Sequence, residues 1–278
     1  MSAADFLKNA KFETLKTAVD ELGIATIEIN RPQALNALSA LVVSDLHELL
    51  TELSSRAGLN GEQDWSVRGL ILAGAGDKSF IAGADIAEMR DMNEMQALAY
   101  AGKAQEVTKL FGALPFPTVA AVDGWALGGG CEIAMCCDFI YATESAVFGQ
   151  PEVGLGLIPG FGGTVRLHRF VGSAKAREMI FTGMRITAAE AQEAGLVTKL
   201  FADRDALFNG VHETLKLATK QSPTAIARAK ATMAATESQS ISEGLTTELS
   251  NFAACFGTPD MVEGTSAFVA KRKPQYPA

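Results

Sequence analysis

Residues 124–132 have the sequence Gly124-Trp-Ala-Leu-Gly128-Gly129-Gly130-Cys131-Glu132. An apolar run that is typical of a strand precedes this segment, and residues 133–137 follow it in a pattern compatible with a helix. A strand, a glycine-rich turn and a helix in this order present unpaired N–H groups and the positive end of a helix dipole. We therefore expect the segment to hold an anion or an oxygen that gains negative charge, although the three glycines would equally permit close helix packing.

Outward from this segment, the chain alternates between predicted strands and predicted helices. Residues 11–30 indicate two strands around a turn, and residues 67–73 and 118–122 are short aliphatic runs typical of buried strands. Ser39 is placed to cap a helix with its leucines on one face, and residues 92–110 have a second helical pattern. Such alternation predicts an α/β fold with a mostly parallel sheet.

The last third of the chain is predicted to be almost entirely helical. Residues 174–182 favour a helix, and helix starts are indicated at residues 187–190, 222–223 and 240–243. Neither a repeat nor a linker divides the sequence into large independent units. We expect one α/β core over residues 1–200 and a helical C-terminal region over residues 201–278.

Composition and charge exclude several classes of protein. The 278 residues are 48% hydrophobic and 20% charged, which is typical of a globular chain rather than a disordered or membrane-spanning one. The net charge of −8 argues against nucleic acid as a partner. The four cysteines show neither a disulfide framework nor the spacing of a metal site, and the N-terminus shows no presequence pattern. We expect a cytoplasmic protein without a metal or a membrane anchor.

A second loop pairs with the glycine-rich segment. Residues 79–89 follow the predicted strand at 67–73, and they place small residues, Ala82, Gly83 and Ala84, where the chain leaves the sheet. Loops at the carboxyl ends of neighbouring strands can each direct one N–H at a common point. Two such donors would form an oxyanion hole. The sequence matches neither the dinucleotide fingerprint nor the P-loop, so the pattern does not favour a phosphate.

Two glutamates are the candidate acid and base. Glu132 ends the glycine-rich segment, and Glu152 follows a predicted strand and an apolar run that can bring the chain back to the same cavity. Each glutamate alone would be an ordinary helix or turn residue, but both lie among apolar neighbours, and carboxylates there are typical of catalysis. The histidines, His47, His168 and His212, lack a partner at diagnostic spacing and are interpreted as structural.

Five segments, in this order, resemble the enoyl-CoA hydratase/isomerase (crotonase) superfamily. They are Asn30-Arg-Pro-Gln-Ala-Leu-Asn36-Ala-Leu38, Ala82-Gly-Ala-Asp-Ile-Ala-Glu-Met89, residues 124–132, Gln150-Pro-Glu-Val-Gly-Leu-Gly-Leu-Ile-Pro-Gly160-Phe-Gly-Gly-Thr164 and Glu263-Gly-Thr-Ser-Ala-Phe-Val-Ala-Lys-Arg-Lys273. The resemblance implies a ββα spiral core with a helical C-terminal trimerisation region, and a homotrimer or a homohexamer built as a dimer of trimers.

The resemblance also implies a reaction. It places the oxyanion-hole donors on the N–H groups of Ala84 and Gly129, and the acid/base pair on Glu132 and Glu152. Members with both glutamates are hydro-lyases that add water syn to a trans-2-enoyl-CoA and so give a 3-hydroxyacyl-CoA in fatty acid β-oxidation. In the family, Glu132 would activate the water and Glu152 would donate the proton, a division that the residues alone leave open. The alternatives are a Δ3-Δ2-enoyl-CoA isomerase and, in another class, a non-catalytic or RNA-binding relative.

By the same resemblance, coenzyme A is part of the substrate and no separate cofactor is required. The implied CoA contacts are Gln33, Ala34, Leu35, Ala82, Gly83, Asp85, Ile86, Phe268 and Lys271. Many relatives have a basic residue where this chain has Gln33 and Ala87, so the phosphates are expected to depend on Lys271, Arg272 or Lys273. The pocket for the acyl tail is expected around residues 89–101 and 155–161. These residues are generically apolar, so the sequence leaves the preferred acyl-chain length open.

Overall fold

The computed structural model describes residues 1–56 and 64–276, in which ten strands and eleven α-helices are found. The strands are β1 (Leu15–Val19), β2 (Ile24–Ile29), β3 (Gly69–Gly74), β4 (Ser79–Ile81), β5 (Thr118–Val122), β6 (Trp125–Leu127), β7 (Phe139–Thr143), β8 (Val147–Gly149), β9 (Arg185–Thr187) and β10 (Lys199–Phe201). The helices are α1 (Ala3–Asn9), α2 (Ala40–Arg56), α3 (Ile86–Met89), α4 (Glu94–Ala113), α5 (Gly129–Ala134), α6 (Gly163–Thr182), α7 (Ala188–Glu193), α8 (Arg204–Ala218), α9 (Pro223–Thr236), α10 (Ile241–Ala253) and α11 (Pro259–Val269).

The strands form two sheets. The larger has the order β1-β2-β3-β5-β7-β10, with β1 antiparallel to β2 and every other pair parallel. The smaller has the order β4-β6-β8-β9, with only β9 antiparallel to its neighbour. The prediction of an α/β fold with a mostly parallel sheet, opened by a hairpin, is confirmed.

Both faces of the larger sheet are covered, which explains why its central strands are continuously apolar. Leu70 and Leu72 of β3 belong to the main core, together with the buried leucines of α2. Ile71 and Ala73 point to the opposite face and pack with α8. The side-chain period of two in a strand therefore distributes one apolar run between two hydrophobic clusters. The predicted helix after Ser39 is α2, and Ser39 Oγ accepts the N–H of Val42 at 3.2 Å.

Three expectations about local structure need correction. The sequence predicts loops at residues 79–81 and 125–127, but these residues form the strands β4 and β6 of the smaller sheet. With three residues each, these strands are too short to show a period in the sequence. Helix α6 begins at Gly163, well before residue 174, and Gly172, with a φ of 74°, interrupts it and obscures its pattern.

The helical character of the last third is confirmed, with the short strands β9 and β10 as exceptions. The predicted capping boxes exist at Thr187 and at Ser240, and Ser222 caps α9. Helix α8 packs against the larger sheet, whereas α10 has no buried residue. The division of the chain at residue 200 stays a prediction. In the described ranges, 1–56 and 64–276, every helix is too short or too polar to cross a bilayer.

Candidate active site

The predicted catalytic residues all follow the carboxyl ends of three neighbouring parallel strands. Strands β4, β6 and β8 lie side by side in the smaller sheet. Ala84 lies three residues after β4, Gly129 and Glu132 lie in α5 directly after β6, and Glu152 lies three residues after β8. Because parallel strands end at the same edge of a sheet, the three loops meet there, where α/β folds commonly bind ligands.

Close approach of the backbone brings the first two loops together. A Cβ on Gly130 would overlap the carbonyl oxygen of Ile81, so only glycine fits where α5 passes the end of β4. Gly128 has a φ of 48° and a ψ of −123°, a conformation that side chains rarely adopt, and it turns the chain from β6 into α5. The glycines therefore set the distance between the two donor loops.

The N–H groups of Ala84 and Gly129 are both oriented as free donors. Ala84 forms a single parallel bridge with Leu38, in which Leu38 donates to Gly83 O at 2.8 Å and accepts from Asp85 N at 3.0 Å. This pattern turns the N–H of Ala84 away from Leu38. Gly129 is the first residue of α5, where an N–H has no partner within the helix. Among the residues described, neither N–H donates to another backbone group.

Leu38 shows that these two donors are close to one another. It is bridged to Ala84, and its Cδ1 would lie 3.1 Å from a Cβ on Gly129. The structure therefore brings Ala84 and Gly129 to one place, as the sequence predicts for an oxyanion hole. The N-terminus of α5 adds its partial positive charge to the same place.

Glu132 is buried beside the two donors, with 1% of its surface exposed. Its Oε1 accepts N–H groups from Phe161 at 2.8 Å and Gly163 at 2.5 Å. Burial raises the pKa of Glu132 to about 7, and the charge of Glu152 acts in the same direction, against the lowering effect of the two N–H groups. Both N–H groups donate to Oε1, and within the described part of the chain Oε2 accepts no hydrogen bond.

Glu152 begins a short 3-10 helix, Glu152–Leu155, and is half-buried. Burial raises the pKa of its carboxyl group above the ordinary value. Its Oε1 lies so close to the α-carbon of Gly128 that a Cβ there would overlap it. Glu152 thus lies next to the turn that leads to the Gly129 donor.

Gln150 binds Glu152 and lies near Glu132, and the sequence analysis did not single it out. With its amide in the orientation that satisfies its neighbours, its nitrogen donates to both carboxylate oxygens of Glu152 at 3.2 Å. A Cβ on Gly163 would lie 2.9 Å from the Gln150 amide and 3.0 Å from Glu132 Oε1. The fully buried Gln150 therefore lies beside both carboxylates. A single sequence offers no signal for this role, since a glutamine after a strand is unremarkable by itself.

Arg166 is a second residue that the sequence analysis missed. Its guanidinium donates to the carbonyl oxygen of Phe161 at 3.1 Å and to Thr108 Oγ1 at 3.2 Å. It thereby fixes the peptide segment whose N–H groups hold Glu132, and its positive charge lowers the pKa of Glu132. Arg166 lies in α6, and only the fold places it near the site. Its distance from Glu132 along the sequence therefore gave no sign of this role.

The predicted CoA contacts fall into two groups. Those near the oxyanion donors are Gln33, Ala34, Leu35, Ala82, Gly83, Asp85 and Ile86. The structure brings this group together, because Ala82 N donates to Leu35 O at 3.1 Å and Arg31 forms an ion pair with Asp85 at 3.1 Å. Phe268 and Lys271 lie at the end of α11, outside the three loops, and Phe268 is 86% exposed.

In the part of the chain that the structure describes, the cysteines and His212 do not form a nucleophile with a base partner. Cys131, Cys136 and Cys137 are buried, and burial raises the pKa of each thiol. His212 Nε2 lies within hydrogen-bonding distance of Asp20 Oδ2, at 2.8 Å, on the surface. Over residues 1–56 and 64–276, no three His, Cys, Asp or Glu side chains group in a way that could hold a metal ion.

Comparisons with known proteins identify the family of the chain. Residues 20–278 match the family model described as enoyl-CoA hydratase/isomerase. The chain is 41% identical over 250 residues to the short-chain-enoyl-CoA hydratase of Clostridium acetobutylicum, covering 90% of this chain and 92% of that protein. It is 41% identical over 256 residues to the crotonyl-CoA hydratase of Syntrophomonas wolfei, covering 91% and 94%.

Solved structures show the same fold. The crystal structure of an enoyl-CoA hydratase from Bacillus anthracis superposes with a TM-score of 0.88 at 35% identity, covering 95% of this chain and 99% of that one. An enoyl-CoA hydratase from Mycobacterium smegmatis gives a TM-score of 0.87 at 32% identity, covering 94% and 98%. The order of the motifs, the ββα core and these similarities agree, and the chain belongs to the enoyl-CoA hydratase/isomerase family.

Proposed function

We propose that the protein is an enoyl-CoA hydratase, a hydro-lyase that reversibly adds water syn to a trans-2-enoyl-CoA to give a 3-hydroxyacyl-CoA. One observation carries the proposal: Glu132 and Glu152 both lie close to the buried amide of Gln150, next to two free N–H donors. The names of the two curated relatives, a short-chain-enoyl-CoA hydratase and a crotonyl-CoA hydratase, support it.

The N–H groups of Ala84 and Gly129 would bind the thioester oxygen of the substrate. When water attacks C3, the electron pair of the C2–C3 double bond moves toward the thioester and gives an enolate with its negative charge on that oxygen. Fixed donors stabilise this charge more than that of the neutral carbonyl, and each contributes about 3–4 kcal/mol in comparable sites. The dipole of α5 acts in the same direction.

The two glutamates would divide the proton transfers. Glu132 is anchored through Oε1, so its Oε2 is available to accept a proton from the attacking water. Burial raises the pKa of both glutamates, so the division of roles follows the family resemblance, in which Glu152 delivers a proton to C2. The oxygen of the water bonds to C3, one proton passes to Glu132, and the proton of Glu152 ends on C2. Neither a metal nor a redox cofactor takes part, and coenzyme A enters only as part of the substrate.

The C-terminal helices would assemble three copies of the chain, or six as a dimer of trimers. Large apolar side chains exposed on α9, α10 and α11 support this proposal; they are Met233, Ile241, Leu245, Leu249, Phe252, Val262, Phe268 and Val269. Assembly would also carry Phe268 and Lys271 toward the CoA site of a neighbouring copy. Since Arg272 is held by Glu263 in two hydrogen bonds of 2.6 and 2.7 Å, Lys271 and Lys273 are the better candidates for the CoA phosphates.

The cytoplasm is the proposed location, and the four free cysteines fit a reducing compartment. Fractionation of cells that produce the full chain tests this point. Recovery of the protein in the soluble cytoplasmic fraction is expected, and recovery with membranes or in the medium would contradict it.

The test of the function uses the purified full chain and enoyl-CoA thioesters from four to sixteen carbons. Hydration removes the near-ultraviolet absorbance of the conjugated double bond, and mass spectrometry detects the gain of one water. Turnover of at least one trans-2-enoyl-CoA is expected, and the series gives the preferred chain length. Conversion of a 3-enoyl-CoA to a 2-enoyl-CoA without any hydration would overturn the proposal in favour of an isomerase.

A further inference from the structure

The hydroxyl of Tyr100 links helix α4 to the segment that carries one of the two oxyanion donors. Tyr100 is buried, and its Oη donates to the carbonyl oxygen of Leu38 at 2.6 Å. The same carbonyl accepts the N–H of Asp85, while the N–H of Leu38 donates to Gly83. Leu38 therefore holds the residues on both sides of Ala84, and Tyr100 holds Leu38.

The direction of the Ala84 N–H depends on few backbone bonds. Leu38 and Ala84 form an isolated bridge rather than a strand pair, so two hydrogen bonds replace the longer ladder that fixes a residue in a sheet. The Tyr100 hydroxyl adds a third hydrogen bond at Leu38, to the carbonyl oxygen that already accepts the N–H of Asp85, and it therefore fixes a larger share of the orientation. An error of about 1 Å in the position of a catalytic group can cost a hundredfold in rate.

The ring of Tyr100 contacts the other half of the site. It packs edge-to-face against Phe161, with the ring centroids 5.5 Å apart. The N–H of Phe161 binds Glu132, and its ring lies 2.9 Å from the position that a Cβ on Gly129 would occupy. The Tyr100 side chain therefore contacts both Leu38, which orients the Ala84 segment, and Phe161, which lies beside Gly129 and binds Glu132.

Tyr100 remains a hydrogen-bond donor over the whole working range of pH. Burial raises the pKa of its hydroxyl well above the ordinary value, and the negative charges of Glu88, Asp85 and Glu132 act in the same direction. A buried hydroxyl needs a partner in any protein, so this bond alone does not separate a catalytic role from a structural one. What points to a role in catalysis is the position of Tyr100 between the segments that hold Ala84 and Glu132.

We propose that Tyr100 is a positioning residue for hydration: its hydroxyl sets the direction of the Ala84 N–H through Leu38, and its ring supports the Phe161 segment that holds Glu132. This inference rests on the proposed function, because it assigns Ala84 to the oxyanion hole. It predicts that loss of the hydroxyl alone weakens stabilisation of the enolate and leaves substrate binding intact.

The first test compares Tyr100→Phe with Tyr141→Phe in the full chain. Tyr141 is also buried, and its hydroxyl bonds to Thr214 Oγ1 at 3.2 Å on the far side of the larger sheet. For Tyr100→Phe we expect kcat on crotonyl-CoA to fall about tenfold, with KM within about twofold and an unchanged acid limb of the pH profile. Tyr141→Phe should leave all three unchanged. A kcat of Tyr100→Phe equal to that of the wild type, or an equal loss in both variants, would overturn the inference.

A second readout does not depend on turnover. Acetoacetyl-CoA can bind as its enolate, which absorbs in the near ultraviolet, whereas butyryl-CoA cannot form a comparably stable enolate. Tyr100→Phe should bind butyryl-CoA as the wild type does and convert less of the bound acetoacetyl-CoA to the enolate, in a protein whose melting temperature shows it to be folded. An unchanged enolate fraction would contradict the inference. A wild type without hydratase activity would instead contradict the proposed function, and the enolate comparison would still decide on Tyr100.

Discussion

The candidate site and the C-terminal helices differ in the exposure of their apolar side chains. Around the site these side chains are at most 5% exposed, as in Leu38, Ile81 and Phe161. On the C-terminal helices they are 67–86% exposed, as in Ile241, Leu249 and Phe268. The first region completes its packing within one chain. The second exposes apolar side chains that a water-facing helix would not need. Donors must be fixed before the charge develops, so the buried, closely packed region suits the chemistry. The exposed helices suit assembly with further copies.

The largest expected effect comes from replacing the two carboxyl groups that transfer protons in the buried region. Glu132→Gln and Glu152→Gln keep the size of each side chain but cannot transfer the proton, so kcat on crotonyl-CoA should fall by about 10²–10⁴. Circular dichroism checks that the fold is retained, and Glu193→Gln on α7 serves as a control that should keep wild-type turnover. Full activity in either site variant would remove that glutamate from the mechanism.

Burial of Glu132 also has a cost in stability. The folded protein keeps this proton up to about pH 7, while the unfolded chain releases it near 4.5. Between these values the folded state binds more protons, so its stability falls as the pH rises. Glu132→Gln avoids this loss and should raise the free energy of unfolding at pH 8 by up to about 3 kcal/mol.

Denaturant unfolding at pH 8 and at pH 4.5 measures this effect. The gain of Glu132→Gln over the wild type should be present at pH 8 and absent at pH 4.5, and Glu193→Gln should show no gain at either pH. A gain of equal size at both values would mean that the carboxyl is not the source.

A charge on α10 should disrupt the exposed region and leave the site itself unaltered. Leu249→Glu is expected to convert the assembly to monomers in sedimentation experiments. It should also raise the KM for crotonyl-CoA about tenfold, the cost of one lost contact of about 1.4 kcal/mol, because Phe268 and Lys271 no longer reach a neighbouring copy. Leu217→Glu on α8, also an exposed leucine, is the matched control. Retention of the wild-type mass by Leu249→Glu would contradict the role of α10 in assembly.

The smallest expected effect is on pH dependence. Glu132 must be ionised to accept a proton, and its pKa is about 7. The value of kcat/KM should therefore fall about fivefold between pH 7 and pH 6, as expected for a single group with this pKa. A flat profile down to pH 5 would show that Glu132 does not act as the base.

The difference between the two regions also explains how much the sequence could predict. The parallel sheet, α2 and the capped C-terminal helices followed from periodicity and caps, which are local signals. Strands β4 and β6 did not, because three residues are too few for a pattern and their partners are distant in the chain. The helical start at Gly163 was missed because Gly172 breaks the pattern.

The candidate site was predictable to the extent that its chemistry lies in motifs. Ala84, Gly129, Glu132 and Glu152 could be named from glycine-rich loops and from the family resemblance. Gln150, Arg166 and Tyr100 could not, because each acts through a contact between elements that only the fold creates. The C-terminal contacts, Phe268 and Lys271, stay predictions, since they depend on a neighbouring copy.

The proposed mechanism requires two N–H groups and two carboxylates to converge on a single acyl group. A crystal structure with a bound 3-hydroxyacyl-CoA tests this most directly. We predict the thioester oxygen at about 2.7–3.1 Å from the nitrogens of both Ala84 and Gly129, with the 3-hydroxyl between Glu132 and Glu152. A thioester bound away from either nitrogen, or a hydroxyl that contacts neither glutamate, would contradict the account.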